Sequence, residues 1–514
     1  MADQKQDTKT AKARYEQLES KRSAVLTRAR KAAELTIPGI LPPQGASDQT
    51  PLPTPYQSLG ARGVNNVSSM LLITLFPPDA PFFKLDIDPK ARDQLEQAND
   101  SSLADVEAAL AKLEQRARTK FEMANHRAVM AEAIRHLVVT GNGLLDVRKT
   151  GSKFFAIDKY VIRRNRAGLP LEAIIKECVA VSSLSDDVKA LAKVEKSGKD
   201  EVDIFTHITW DHNAKRVTWH QEVNGVAIPD TNANTKIGDC PWIPIRWQSV
   251  SGENYGRSLV MEYLGDLISL EEIARAIVSF AAVAAKIIFL VAPNSSTALD
   301  ALNKANSGDF VSGKRDDIHT LQLEKYADFK VADNVAERLE LRLSHAFLLK
   351  SGTVRHAERV TAEEIRQMAT ELENVFGGTY TVLARDFQLP LVKRQIGMMK
   401  KAGEWPALPN GTVNPVVITG FQALGRTHAI ERVRAAISDA INTLGQEALM
   451  YVKAGDLLKR LFVGHGVENP NELLRTDAEV EQMQQAQQVN DTLSKAAPGV
   501  AQEVTKASVG NNNS

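Results

Sequence analysis

Residues 361–392 carry the clearest helical period in the chain. Thr361, followed three residues later by Glu364, forms a capping box, a pair that satisfies free N–H groups at the start of a helix. The apolar residues that follow are three or four positions apart, at Ile365, Met368, Leu372 and Phe376. We therefore predict an amphipathic helix that begins at Thr361.

Two glycines, Gly377 and Gly378, interrupt this helix. The apolar period resumes behind them and is predicted to stop at Pro390, because proline lacks the N–H that a helix interior requires. The pattern predicts either one long helix with a kink at the glycines or two shorter helices in line.

A short polar loop precedes the helix and holds little that could be buried. Its basic residues are Lys350, Arg355, His356 and Arg359. A basic loop that leads into a capped, kinked helix is typical of a moving part of a protein rather than of a packing element.

The first half of the chain combines helices with a sheet. Helical spacing occurs at residues 9–35, 103–113 and 129–138, and the prolines between residues 38 and 55 predict an extended strap that lies over another element. From residue 144 to residue 223 the spacing changes to two, which predicts an antiparallel sheet with a hairpin turn at Asn224–Gly225. A strand at 241–247 is predicted to close that sheet.

Residues 252–347 predict a hairpin-like stalk. The apolar positions from Leu259 to Phe280 predict a helix of about seven turns, and a second helix is predicted up to Phe347. Short strands are predicted between the two helices, at 287–291, 309–311 and 318–323. Two helices that flank a small β-unit form a stalk with a β tip.

Composition restricts the function classes without selecting one. A chain of 514 residues is too long for one ordinary core, so several structural units are expected. The 63 Lys and Arg residues equal the 63 Asp and Glu residues, which argues against a protein that grips nucleic acid along its whole surface. Cys178 and Cys240 form no CxxC motif and favour a reducing compartment. The apolar stretch 276–292 is short for a membrane span and contains Lys286, so no membrane contact is expected.

One stretch resembles a nucleotide site. Residues 308–314 match the phosphate-loop pattern G-x-x-x-x-G-K, but Arg315 follows in place of the Ser or Thr that would bind Mg²⁺. The charges of Asp316 and Asp317 would repel a nucleotide, so a polar turn between strands is the preferred interpretation.

Three histidines suggest a metal site, but their spacing argues against it. His207 and His212 are an odd number of residues apart and would lie on opposite faces of a strand, and no carboxylate or thiol completes a set with His220. The sequence also lacks G-x-S-x-G, HExxH and dinucleotide motifs. We predict no catalytic residue, no metal and no cofactor.

A series of short motifs follows in order along residues 12–465. The motifs are Gly60–Asn66, Gly141–Leu145, Cys240–Arg246, Gly252–Ser258, Leu264–Leu267, Gly308–Gly313, Leu321–Lys325, Glu358–Arg366 and Gln388–Val392. Each motif is weak alone, but the ordered set resembles the head-to-tail connector, or portal, proteins of short-tailed bacteriophages (podoviruses).

This resemblance implies an α+β fold, mainly α, with the architecture of a portal protein. The implied parts are a wing (1–255), a first stem helix (256–285), a small β-containing clip (286–332), a second stem helix (333–347), a tunnel loop (348–360), a kinked tunnel helix that returns to the wing (361–392), a linker with crown helices (393–470) and a Gln-rich C-terminal tail (471–514). The implied site residues are the channel-loop residues Lys350, Arg355, His356 and Arg359, the tunnel-helix cap and kink at Thr361, Glu364, Gly377 and Gly378, and a clip docking turn at Lys314, Arg315, Asp316 and Asp317.

The resemblance also implies a function. Portal proteins form a ring, usually of twelve copies, at one vertex of the capsid, and double-stranded DNA passes through the ring during packaging and ejection. The implied partners are other copies of the chain, DNA contacted without regard to sequence, the terminase large subunit, tail adaptor and nozzle proteins, major capsid and scaffolding proteins, and internal core or ejection proteins. The protein would be assembled in the bacterial cytoplasm and reside in the virion.

Two alternatives from other classes stay open on the residues alone. One is a nucleotide-dependent nucleic-acid enzyme that uses Lys314, and the other is a monomeric scaffold that binds a partner through its long helices. A native mass measurement separates a ring from both alternatives, and ATP hydrolysis lost on Lys314→Ala would support the enzyme.

Overall fold

A computed structural model describes residues 10–47, 49–77, 82–87, 102–191, 200–284, 288–295, 299–321, 326–349, 362–376, 378–404, 416–419, 426–445 and 454–464, with short stretches between residues 452 and 487. The fold mixes helices and strands in two units, residues 1–78 with 121–398 and residues 79–120 with 399–514. Within the described ranges, no helix combines the length and the apolar character that crossing a membrane requires.

The elements follow in chain order. The described helices are α1 (Ala11–Glu34), α2 (Leu59–Leu75), α3 (Ser102–Met123), α4 (His126–Thr140), α5 (Asp186–Leu191), α6 (Leu259–Glu262), α7 (Leu264–Ala284), α8 (Leu299–Lys304), α9 (Tyr326–Ala346), α10 (Ala362–Phe376), α11 (Thr379–Leu383), α12 (Leu389–Lys401), α13 (Arg426–Leu444) and α14 (Ala454–Gly464). The described strands are β1 (Phe83–Asp86), β2 (Asn142–Arg148), β3 (Gly151–Phe155), β4 (Tyr160–Arg164), β5 (Pro170–Ala180), β6 (Glu201–Asp211), β7 (Arg216–Val223), β8 (Val226–Ala227), β9 (Ala233–Lys236), β10 (Trp242–Arg246), β11 (Ile288–Val291), β12 (Ile318–Leu321) and β13 (Val416–Thr419).

The larger sheet of the first unit is antiparallel, with strand order β4-β5-β6-β7-β8 and with β9 paired to β7. Asn224 and Gly225 join β7 to β8 with φ angles of 50° and 78°, which confirms the predicted hairpin turn. Helix α1 lies across this sheet. Its apolar residues pack with those of β4, β5 and β6 in one cluster, formed by Ala11, Tyr15, Leu18, Val161, Ile174 and Phe205.

The strand predicted to close this sheet belongs to a second sheet. β10 pairs with β2, which in turn pairs with β3, and these strands form a three-stranded antiparallel sheet. The prediction was wrong because an alternating pattern identifies a strand but not its partner. β2 is the central strand of this second sheet and is buried along almost its whole length.

Two antiparallel helices carry a two-stranded tip. Asp266 near the start of α7 pairs with Arg342 near the end of α9 at 3.1 Å, and the ring of Phe280 stacks on that of Phe329 with centroids 5.3 Å apart. Between the helices, β11 and β12 pair with each other. The strand predicted at 309–311 is absent, because the preceding residues form a hydrogen-bonded turn that leads into an irregular loop.

The second unit is held by contacts between distant segments. β1 pairs with β13, with Phe83 opposite Thr419. The N–H of Leu85 donates to the buried carboxylate of Glu114 on α3 at 2.7 Å, so that the strand is tied to the helix. Within its described residues, the predicted helical region at about 427–461 contains the helices α13 and α14.

Candidate functional site

The predicted basic loop lies between α9 and α10. The predicted site residues Lys350, Arg355, His356, Arg359, Thr361 and Gly377 lie outside the described residues. The residues that flank the loop are described on both sides, and α2 contacts both flanks. The geometry of α2 therefore determines how the loop is attached to the first unit.

On the first flank, Asn66 caps the end of α9. Its side-chain amide donates to the main-chain carbonyls of Phe347 and Leu348, both at 3.0 Å. These carbonyls lie at the helix end, where helical partners run out. Leu348 has a φ of 56°, a conformation that a leucine rarely adopts. The two hydrogen bonds and the complete burial of Phe347 hold this unfavourable turn in place.

The close approach of α9 to α2 depends on Gly63. A Cβ at this position would lie 2.5 Å from the ring of Phe347, so any larger residue would displace the ring. Gly60, one turn earlier, faces the main-chain oxygen of Leu35 in the same way. In the motif Gly60–Asn66, the two glycines thus allow close packing and Asn66 caps a neighbouring helix.

On the second flank, α10 ends at a left-handed glycine. α10 includes Glu364 and begins at Ala362, directly after Thr361. Gly378 has a φ of 90° and separates α10 from α11, so the chain forms two helices rather than one bent helix. Glu373 bridges the break, because its carboxylate accepts the hydroxyl of Thr381 at 2.9 Å and the N–H of the same residue at 3.3 Å.

The helix does not stop at Pro390 as predicted. α11 continues through a π-helical turn, Ala384–Gln388, into α12, which extends to Lys401. In a regular α-helix the ring of Pro390 would clash with the carbonyl four residues earlier. The wider π turn directly before it changes the positions of those carbonyls, so the helix continues. The boundary predicted at residue 392 consequently falls inside α12.

The segment from α11 to the π turn is fastened to the end of α2. The hydroxyl of Tyr380 donates to the carbonyl of Thr74 at 3.2 Å, and the buried side chain of Gln388 donates to the carbonyl of Leu75. Both acceptors lie in the last turn of α2, where carbonyls lack helical partners. Burial raises the pKa of Tyr380, so this phenol stays protonated and remains a donor.

The stretch resembling a phosphate loop has the wrong local structure for one. Arg315–Asp317 form a single 3₁₀ turn, and β12 follows directly. A phosphate loop requires a helix whose N-terminal N–H groups face the ligand. The carboxylate of Asp317 instead accepts the hydroxyl of Ser295 at 3.1 Å, and Lys314 and Asp316 are exposed.

The histidines are brought together only in part. His207 and His220 lie opposite each other on β6 and β7, with ring centroids 5.3 Å apart. Each ring contacts a carboxylate at 3.0 Å, that of Glu172 for His207 and that of Glu222 for His220. His212 contacts the carbonyl of Pro170. Within the described part of the chain, no cluster of three His, Cys, Asp or Glu residues could hold a metal ion.

Comparisons with known proteins agree on one family. The family model for the bacteriophage head to tail connecting protein matches residues 8–472. The chain is 39% identical over 438 residues to the portal protein of Enterobacteria phage T3 and 37% identical over 437 residues to that of Escherichia phage T7, and each match covers 83% of this chain and 81% of the relative. The portal protein of Enterobacteria phage SP6 is 29% identical over 508 residues, 96% of either chain.

Among solved structures, the neck of a native gene transfer agent particle is similar at 10% identity with a TM-score of 0.35, covering 79% of this chain and 89% of the other. The match of the family model to most of the chain, together with the relatives from two phages at more than a third identity, shows that this chain belongs to the family of bacteriophage head-to-tail connecting proteins, the portal proteins.

Proposed function

We propose that copies of this chain form a ring at one capsid vertex, and that double-stranded DNA passes along the axis of the ring. The observation that carries the proposal is apolar surface on the paired helices α7 and α9. Val278 is 51% exposed and Val331 is 63% exposed, and Val335 lies on the same face of α9 as Val331. Exposed apolar side chains grouped on long helices mark a surface that a partner covers.

The helix pair fits the stem of such a ring. α6, α7 and the part of α9 from residue 333 onward would form the stem. Residues 286–332, with β11 and β12, would be the clip, where the terminase large subunit docks during packaging and tail proteins dock later. Phe310 in the loop before β12 is fully exposed, and Lys314–Asp317 form a polar turn beside it. An exposed aromatic ring next to charged residues suits a docking surface.

The remaining parts follow the family scheme. Residues 348–360 would be the tunnel loop, α10 and α11 the tunnel wall, and α13 and α14 the crown, while most of the first unit would form the wing. Capsid, scaffolding and internal core proteins would contact the outer and inner surfaces in the virion. The ATPase activity would come from the terminase and not from this chain, because the stretch resembling a phosphate loop is followed by a strand.

The proposed DNA contacts are few and independent of sequence. A conduit must let DNA slide, and each neutralised phosphate strengthens binding and its salt dependence. The formal net charge of zero fits this requirement. The basic residues Lys350, Arg355, His356 and Arg359 would place a modest positive ring at the constriction, which would resist outward slippage of packaged DNA.

The test uses the double variant Arg355→Ala with Arg359→Ala in phage production. We expect native mass spectrometry to find the same ring for the variant and the wild type, while the yield of packaged DNA falls. A normal yield would contradict the role of the loop. A wild-type chain that stays monomeric at micromolar concentration would contradict the ring itself.

A further inference from the structure

A cavity of about 290 Å³ opens in the first unit where β4, β6 and β10 meet the π-helical turn. Part of its lining is apolar and includes Trp210, Trp242, Leu389 and Pro390. The proposed channel function assigns no role to this cavity. Its lining also includes several charged side chains.

Two arginines of the lining, Arg164 and Arg246, lie side by side, and among the described residues neither donates a hydrogen bond to a carboxylate. The hydrogen bonds of both guanidinium groups to described residues all go to main-chain carbonyls, and both groups contact the carbonyl oxygen of Gly168, at 3.0 and 3.3 Å. Neutral carbonyls orient a guanidinium group but do not cancel its charge. The two groups therefore form a concentrated positive site at one wall of the cavity.

The surroundings make these charges costly. Burial and the charge of Arg246 together lower the pKa of Arg164 to about 10, and the charge of Asp386 offsets part of this lowering. Burial also lowers the pKa of Arg246, and Asp386 again offsets part of the effect. Like charges held close together in partly buried positions are unfavourable unless anions compensate them, and the single charge of Asp386 does not neutralise both arginines.

The mouth of the cavity adds to the positive charge. Arg385 and Lys393 are exposed residues of the lining, and Asp386 is the lining carboxylate. Arg385 contacts both oxygens of Asp386, at 2.8 and 3.3 Å. Four cations less one carboxylate leave three positive charges around the cavity, with His212 counted as neutral.

A second feature of the lining points to a missing acceptor. Trp242 is 5% exposed, and its buried indole N–H has no hydrogen-bond acceptor among the described residues. Buried polar groups in folded proteins almost always have a partner. An acceptor that enters the cavity from outside the chain would satisfy this donor.

We propose that this cavity binds the phosphate group of a small organic phosphate. A phosphate group carries close to two negative charges and three acceptor oxygens, which matches three uncompensated cations and a free N–H better than a carboxylate would. Guanidinium groups bind phosphate oxygens in pairs of parallel hydrogen bonds. The volume exceeds that of a phosphate ion, and the apolar walls accommodate the organic part of the ligand.

The test titrates the purified full-length protein with deoxyadenosine monophosphate, inorganic phosphate and deoxyadenosine, by calorimetry and tryptophan fluorescence. We expect the nucleotide to bind, inorganic phosphate to compete with it, and the nucleoside to bind much more weakly. Arg246→Gln should weaken nucleotide binding by about tenfold or more, because a hydrogen bond to a charged group is lost. The matched control Arg166→Gln removes an exposed charge near the cavity that does not line it, and should leave the affinity unchanged.

Three results would overturn the proposal: no binding of either phosphate probe at millimolar concentration, equal binding of nucleotide and nucleoside, or the same affinity in Arg246→Gln as in the wild type. If Arg246→Gln does not fold, Lys393→Ala combined with Arg385→Gln provides the comparison, since both side chains are exposed. Unchanged affinity in that double variant would also contradict the proposal.

Discussion

Glu172 on β5 shows how one carboxylate fastens the N-terminal helix to the sheet. Its oxygens accept hydrogen bonds from Arg14 of α1 at 2.7 and 3.0 Å and contact the ring of His207 on β6 at 3.0 Å. Burial alone would raise the pKa of Glu172, but the hydrogen bonds from His207 and Arg14 outweigh it and hold the pKa at about 2.

This depressed pKa predicts a specific loss of stability in acid. The folded pKa of about 2 lies below the ordinary value of 4.5, so the ionised carboxylate stabilises the fold above the ordinary value. That contribution is lost as the pH falls through this window, and we expect it to amount to roughly 2–3 kcal/mol. Urea unfolding of Glu172→Gln and wild type at pH 7 and at pH 3 measures it: the difference between the proteins should shrink at pH 3.

The matched control is Glu177→Gln, which alters a more exposed carboxylate of the same strand whose lysine partner lies 3.7 Å away. Its effect at pH 7 should be within a few tenths of a kcal/mol, as for other surface pairs. An equal loss of stability in both variants would contradict the special role of Glu172. The sequence did not reveal this role, because Arg14 and His207 lie 158 and 35 residues away along the chain.

At the scale of elements, α2 joins both flanks of the predicted tunnel loop to the first unit. We predict that Asn66→Ala lowers the free energy of unfolding by about 1–2 kcal/mol, because two carbonyls at the end of α9 lose their donor. Chemical denaturation measures the effect. Increased hydrogen exchange near residue 348 should accompany it, since the left-handed turn at Leu348 is no longer held.

Asn65→Ala is the control for that experiment. Asn65 is the preceding residue of the same helix and is exposed, so its replacement should have little effect or stabilise the helix slightly. Equal destabilisation by the two variants would show that the capping of α9 contributes nothing beyond helix propensity.

Periodicity predicted most elements but not their pairing. The spacing of Leu103, Leu110 and Leu113 lies within α3, and the Asn224–Gly225 turn is confirmed. The predicted placement of β10 was wrong because the alternating pattern of one strand shows which of its residues are buried but not which strand it pairs with. The pairing of β1 with β13 went unpredicted because it joins segments far apart in sequence. The capping role of Asn66 likewise depends on a contact across 281 residues.

At the scale of the whole molecule, the sequence was sufficient to predict the family, but only part of the candidate functional site could be predicted from it. The ordered motifs suffice for the family because their order is specific even where each motif is weak. The DNA contacts of Lys350, Arg355, His356 and Arg359 stay a prediction, because they depend on how copies are arranged around an axis. The angle between neighbouring copies is a property of the assembled surfaces and cannot be inferred from periodicity.

The proposed ring contact predicts that a new charge on the paired helices α7 and α9 weakens assembly. Val278→Asp places a carboxylate on the exposed apolar surface of α7, where a neighbouring copy would bury it at a high cost. We expect native mass spectrometry to show that half of the variant is assembled only at a protein concentration at least about tenfold higher than the wild type needs. The circular dichroism spectrum should be unchanged. Ser279→Asp introduces the same charge at the adjacent exposed position and should have a smaller effect. Normal assembly of Val278→Asp would exclude this face of α7 from the ring contact.

The π-helical turn before Pro390 has a consequence for how this segment tolerates changes in length. A π turn contains one residue more than an α turn, so it absorbs that residue within a single turn and the helices on either side keep their relative rotation. Removing one residue from Ala384–Gln388 would therefore restore an α turn rather than rotate α12, and Arg394 would still face the carbonyls of Val147 and Asp239. The cost of this deletion would come from Pro390 instead, because a regular α turn places a carbonyl against its ring.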